Sequence, residues 1–145
     1  MTTGLPHIVF KYGTEIDSKA IVDFWKKNDI TVTPSDTPEQ IACAARQHPQ
    51  LFIIGCGPED EIVGTVWGTF DGRRGYVAHL AVDRPYRNRG LGSLLMDRVE
   101  HEFKKLKCYK VHLFVEEQNT EVGDMYRRRG YSERSDLTLF SKTLQ

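Results

Sequence analysis

Read from its N-terminus, the chain alternates between stretches in which apolar residues recur every second position and stretches in which they recur at three and four, with Gly and Pro at the changeovers. Residues 7–12 (HIVFKY) are β-branched and aromatic and predict a strand. Asp17 or Ser18 then caps a helix whose Ile21, Phe24, Trp25 and Asn28 share one face. A second helix opens on a capping box, Thr37 with Gln40 three residues on and Pro38 in the first turn, continues through Ile41, Ala44 and Ala45, and is stopped by Pro49. Strands are predicted over 51–56, 61–70 and 75–82, joined as hairpins by Gly57-Pro58-Glu59-Asp60 and Asp71-Gly72-Arg73-Arg74. From Leu91 the period becomes helical: Leu91, Leu94, Leu95, Val99, Phe103 and Leu106 line one side, and Asp97, Arg98, Glu100, Lys104 and Lys105 the other. A strand over 111–115, a helix over 119–129 ended by Gly130, and a last strand over 137–142 complete the order β-α-α-β-β-β-α-β-α-β. A strand, crossover helix and strand in the second half implies a parallel pair. The expected class is therefore α+β: a mixed, mostly antiparallel sheet with a parallel central pair, flanked by about four helices, in one domain spanning 1–145.

Composition narrows the functions open to such a domain. In 145 residues, 20 Lys and Arg balance 20 Asp and Glu, so no chain-wide field draws the protein to nucleic acid or to an anionic membrane. The longest uncharged run, 47–58, is broken by Pro49, Gly55 and Gly57 and falls short of the roughly 20 apolar residues of a spanning helix. The opening MTTGLPHIVF has no basic segment followed by a long apolar one, and the expectation is a cytoplasmic protein. Cys43, Cys56 and Cys108 are odd in number and far apart, and no two of His7, His48, His79, His101 and His112 fall three or four residues from each other. No metal site is expected.

The most informative segment is Arg87-Asn88-Arg89-Gly90-Leu91-Gly92, placed between a predicted strand and the long amphipathic helix. A helix start carries unpaired N–H groups and the positive end of the macrodipole, and glycines there let a phosphate approach the main chain. The pattern lacks the third glycine of a dinucleotide fold and the Gly-Lys-Ser/Thr of a Walker loop.

In this context the segment resembles the signature of the GNAT superfamily of N-acyltransferases, Arg/Gln-x-x-Gly-x-Gly/Ala, with Arg87, Gly90 and Gly92 in register. A second motif, Asn119-x-x-Val122-x-x-x-Tyr126-x-x-x-Gly130-Tyr131, follows the next predicted strand as it does in that superfamily, and the likeness extends from about Ile62 to Leu144. VWGTFDGRRGYVAHLAV and PSDTPEQ look most like the bacterial YpeA-type acetyltransferases. The resemblance implies acetyl-CoA as co-substrate. It implies a pyrophosphate against the amides of Asn88, Arg89, Gly90, Leu91, Gly92 and Ser93, with Arg87 in the same motif, and a pantetheine arm paired with the main chain of Leu80, Ala81 and Val82. It also implies that Tyr126 is the general acid at the CoA sulfur and that Asn119 hydrogen-bonds the cofactor.

A direct transfer further needs a base for the acceptor amine. The predicted strands carry no carboxylate at the places where many family members have a Glu, and Tyr76 stands at one of them. Tyr76, His79, His112 and Glu116 remain the base or water-relay residues. The acceptor end falls to the first two helices and the hairpin around Trp67 and Asp71, with Trp25 either lining it or belonging to the core. The expected activity is acetyl transfer to a primary amine of a small molecule or of a peptide or protein. The alternative is a non-enzymatic acyl-CoA-binding or regulatory domain of the same fold. An exposed edge strand would permit a homodimer.

Overall fold

The first predicted helix forms as α1 (Ser18–Lys27), with Asp17 as its cap accepting from the Lys19 amide. Ile21, Phe24, Trp25 and Asn28 are all buried, as the spacing requires. Helix α2 (Pro38–Ala45) opens as expected, the Thr37 hydroxyl accepting from the Gln40 amide at 3.2 Å. It stops at Ala45, ahead of Pro49, which instead begins a single 3₁₀ turn into the next strand. The computed structural model describes residues 4–145 and divides into two units, one reaching to Leu113 and the other Phe114–Gln145.

The first unit holds a five-stranded sheet of order β1-β2-β3-β4-β5, with β1 (Val9–Tyr12), β2 (Phe52–Cys56), β3 (Ile62–Phe70), β4 (Arg74–Val82) and β5 (Lys110–Leu113). The first three pairings are antiparallel and β4–β5 is parallel, because α3 (Leu91–Lys105) carries the chain across between them. The hairpin turns form on the predicted residues: the Asp71 carboxylate accepts from the amides of Arg73 and Arg74 at 2.8 and 2.7 Å, and Gly72 sits at φ +93°.

Helix α3 covers one face of the sheet, and α1 and α2 cover the other. The buried stripe of α3 runs through Leu91, Leu95, Met96, Val99 and Phe103. Leu94, expected in that stripe, lies on its shoulder and is 42% exposed. The helix comes close because β3 and β4 offer it glycine: a Cβ at Gly75 would lie 2.6 Å from the Phe103 ring, and one at Gly68 2.8 Å from it. On the opposite face Trp25, Phe52 and Trp67 stack nearly parallel, Phe52 and Trp67 with centroids 4.8 Å apart.

The second unit is built on α4 (Thr120–Arg128), after which Gly130 at φ +94° turns the chain. Tyr126 and Tyr131 meet edge to face at 5.6 Å, and Arg134 holds Asp136 through two bonds of 2.9 Å. The strand expected over 137–142 does not form. Its alternating residues have the propensity, but Leu137, Leu139 and Phe140 are 60, 66 and 89% exposed, and extended chain becomes a strand only with a ladder partner and a face to bury. No helix among the described residues is long and apolar enough to cross a membrane.

Candidate active site

The turn from β4 to α3 passes through Asp83 and a 3₁₀ turn (Arg84–Tyr86) before Arg87. Asn88 takes φ +60° and Gly90 φ +90°, so the chain enters α3 from the left-handed region. Gly90 is the N-cap, and no side chain caps the helix there. A helix start leaves its first N–H groups without intrahelical acceptors, and here the cap has no Cβ to shield them: nothing lies within 4 Å of where one would stand. At Gly92 the nearest atom to such a Cβ is Val82 Cγ2 at 4.0 Å. This is an open helix start with main-chain donors, suited to an anion.

Arginine side chains frame the turn by bonding to protein. The Arg87 Nε donates to the Val82 carbonyl at 2.8 Å, and its Nη2 to Asn28 Oδ1 at 3.3 Å. Arg89 donates to the Pro85 carbonyl and stands 5.7 Å over the Tyr86 ring. Two ion pairs, Lys27–Asp83 at 3.6 Å and Arg84–Asp29 at 3.0 Å, join the end of α1 to the same turn.

Beside the turn, β4 loses one neighbour. Its rungs with β5 run from Arg74↔Lys110 to Val77↔Leu113, whereas those with β3 continue to Gly64↔Val82. Among the described residues, Leu80, Ala81 and Val82 thus have a strand partner on one side only. The edge that remains is the kind an extended amide-bearing ligand can join.

The register between β3 and β4 also slips: Thr65 faces Ala81 but Trp67 faces Ala78, so His79 and Leu80 oppose one residue. His79 absorbs the extra length at φ +53°. A bulge of this kind re-aims a side chain, and the His79 ring turns onto the α1 and α2 face, edge-on to Trp25 at 4.4 Å and to Trp67 at 6.2 Å. Its carbonyl accepts from the Thr65 hydroxyl at 2.8 Å, and that hydroxyl accepts from Trp25 Nε1 at 2.9 Å. Its Nε2 lies 3.4 Å from Asp36 Oδ1. Asp36 is buried, and its other oxygen accepts from the Thr33 amide at 2.9 Å and hydroxyl at 3.0 Å. Tyr76 and His112 sit opposite each other in register on the same face, rings 5.8 Å apart. Of the four residues proposed for proton removal, the first unit therefore sets three on one sheet face. Asp36 carries no sequence signal for this place beyond the Thr33-x-x-Asp36 capping spacing, which marks it only as a local cap.

In the second unit Glu116 is exposed and accepts from Gln118 at 2.7 Å. Asn119 is the exposed N-cap of α4, and Tyr126, seven residues on, is buried. Burial pushes the Tyr126 phenol up to about 12, against the opposing pull of the Arg129 charge, so it keeps its proton throughout the physiological range. Arg127 pairs with Asp124 and Glu133. Open grooves of about 450 and 510 Å³ along β1 and α1 share no residue with the turn or the bulge. Among the described residues no three His, Cys, Asp or Glu side chains are grouped to hold a metal ion.

Solved structures match the fold. Ard1 from Thermoplasma volcanium matches with a TM-score of 0.73 at 22% identity, over 88% of this chain and 84% of that one. Glucosamine-6-phosphate N-acetyltransferase from Arabidopsis thaliana matches with 0.69 at 20% identity, over 96% and 99% of the two chains. At these identities the likeness is one of fold. Sequence supplies the family: residues 19–131 match the Acetyltransferase (GNAT) family, and the chain is 31% identical over 129 residues to an acetyltransferase of Pectobacterium atrosepticum, covering 89% of this chain and 91% of the relative. The chain belongs to the GNAT acetyltransferase family and is an acetyl-CoA-dependent acyltransferase.

Proposed function

We propose that the whole chain, 1–145, works as one acetyltransferase domain that moves an acetyl group from acetyl-CoA directly to a primary amine of a small molecule or of a peptide or protein. The observation that carries this reading is the glycine-capped start of α3 beside the one-sided edge of β4. The main chain of Asn88, Arg89, Gly90, Leu91, Gly92 and Ser93 holds the diphosphate, while Arg87 braces the turn. The main chain of Leu80, Ala81 and Val82 takes the pantetheine amides, and Asn119 hydrogen-bonds the cofactor. Bound acetyl-CoA supplies an activated acyl group as a thioester. Tyr126, neutral at working pH, is the proton donor for the departing sulfur.

An amine acceptor is supported by the Arabidopsis enzyme, whose name gives an amino sugar phosphate. The balanced charge supports an acceptor that is neither nucleic acid nor membrane. Three unbridged thiols suit a reducing cytoplasm. The test is calorimetry with CoA, followed by acetyl-CoA turnover with an alkylamine, an arylalkylamine, an amino sugar and a short peptide, read as free thiol. Tyr126→Phe should keep the binding heat and lose about 10² to 10⁴ in kcat. An unchanged kcat removes Tyr126 from the reaction, and the absence of any heat with CoA removes the reading.

A further inference from the structure

Several features compete for a role that the reaction leaves open. The groove along β1 is lined by Phe10, Arg98 and His101, but nothing in it selects a ligand. The exposed apolar residues beyond Leu137 have nothing to indicate what covers them. The bulge in β4 differs from both, because it spends an unfavourable backbone conformation and a buried carboxylate on the orientation of one imidazole. A non-glycine residue at positive φ is strained and persists only where its surroundings hold it. At His79 they do: Thr65 takes the carbonyl, Trp25 and Trp67 wall the ring, and Asp36 meets Nε2.

We infer that His79 is the base that takes the proton from the acceptor ammonium, and that Asp36 is the positioning residue that makes it one. This rests on the acetyl-transfer reading above. With Nε2–H donating to Asp36 Oδ1, the imidazole is fixed as the tautomer whose Nδ1 lone pair is open to a proton, and the carboxylate offsets the charge that arrives. The location fits. A pantetheine arm paired along Val82, Ala81 and Leu80 runs from the phosphate turn toward the bulge, about 10 Å along the strand, and so delivers its reactive end beside His79. The protons balance: R–NH₃⁺ and the thioester give R–NH–acetyl, CoA thiol and one proton. A C–N bond forms and the C–S bond breaks. One N–H proton is matched by the proton that sulfur receives, and the other leaves through His79 to solvent.

The groups around the ring leave this role to one carboxylate. Helix α1 contributes Trp25, β3 contributes Trp67 and the Thr65 hydroxyl, and the turn before α2 contributes Asp36. Tyr76 and His112, further along the same face, pack on each other.

The test has two arms. The first needs no CoA: ¹⁵N-histidine spectra of the full chain should show His79 as the Nε2–H tautomer, and Asp36→Asn, which retains an oxygen for Thr33, should abolish that signature at unchanged Tm. The second is the pH dependence of kcat with the amine panel. Asp36→Asn should lose at least roughly tenfold and His79→Gln about 10² to 10⁴ near neutral pH. Both deficits should shrink as pH rises and the free amine becomes abundant, and should nearly vanish for an arylamine added to the panel, which is already unprotonated at neutral pH. KM for acetyl-CoA should not move. A deficit that stays constant with pH and amine type, or an Nδ1–H tautomer in the wild type, overturns the inference while leaving acetyl transfer standing. Absence of CoA binding by the wild type overturns both.

Discussion

The two faces of the sheet are built by opposite means. Under α3, β3 and β4 present Gly68 and Gly75, and there the contact is main chain against the ring of Phe103 and the branches of Val99. Under α1 and α2 the same strands present Trp67, Thr65 and His79, and contact is made by side chains that also hydrogen-bond. The difference separates two tasks. A face that sets glycine between its valines brings a helix close and fixes where its N-terminus points. A face crowded with aromatic and polar side chains fixes the angle of a single imidazole, at the cost of needing every neighbour in place.

That division can be broken one face at a time. Trp25→Ala should have the largest effect, because it removes a fully buried ring from the aromatic stack and leaves the Thr65 hydroxyl without its donor: about 3–5 kcal/mol in urea unfolding, with the His79 tautomer lost. Gly75→Ala should cost about 1–3 kcal/mol through the 2.6 Å approach to Phe103, with the His79 tautomer intact. If Gly75→Ala disturbs His79 as Trp25→Ala does, the faces are not independent. Gly90→Ala should have the smallest effect on stability, about 1–2 kcal/mol, from the left-handed φ alone, since its Cβ meets nothing. It should weaken CoA binding in calorimetry by more than Gly75→Ala does.

What was legible in the sequence follows the same division. Caps, hairpin turns and the Arg87-x-x-Gly90-x-Gly92 turn are local, each decided within a few residues, and they form where the pattern puts them. The contacts around His79 are not local: Asp36 lies 43 residues away and Trp25 joins Thr65 across 40, and no spacing rule spans such distances. A bulge on a histidine gives no warning either, since the usual marker of positive φ is glycine. The strand expected over 137–142 is the reverse case. Its propensity is plain, but propensity does not supply a neighbour. Leu94 shows the finer limit: two adjacent leucines at a helix start both match the apolar period, and only the line taken by the whole helix decides which goes in.

The glycines beneath α3 have a thermodynamic corollary. A helix pressed onto backbone at Gly64, beneath Leu91 and Leu95, and at Gly68 and Gly75, beneath Phe103, has little room to rock, so the amides at its first turn are aimed before any ligand arrives. An anion docking there orders almost nothing, and its binding should cost little conformational entropy; the seat is cut into the scaffold during folding and does not have to be shaped at each turnover.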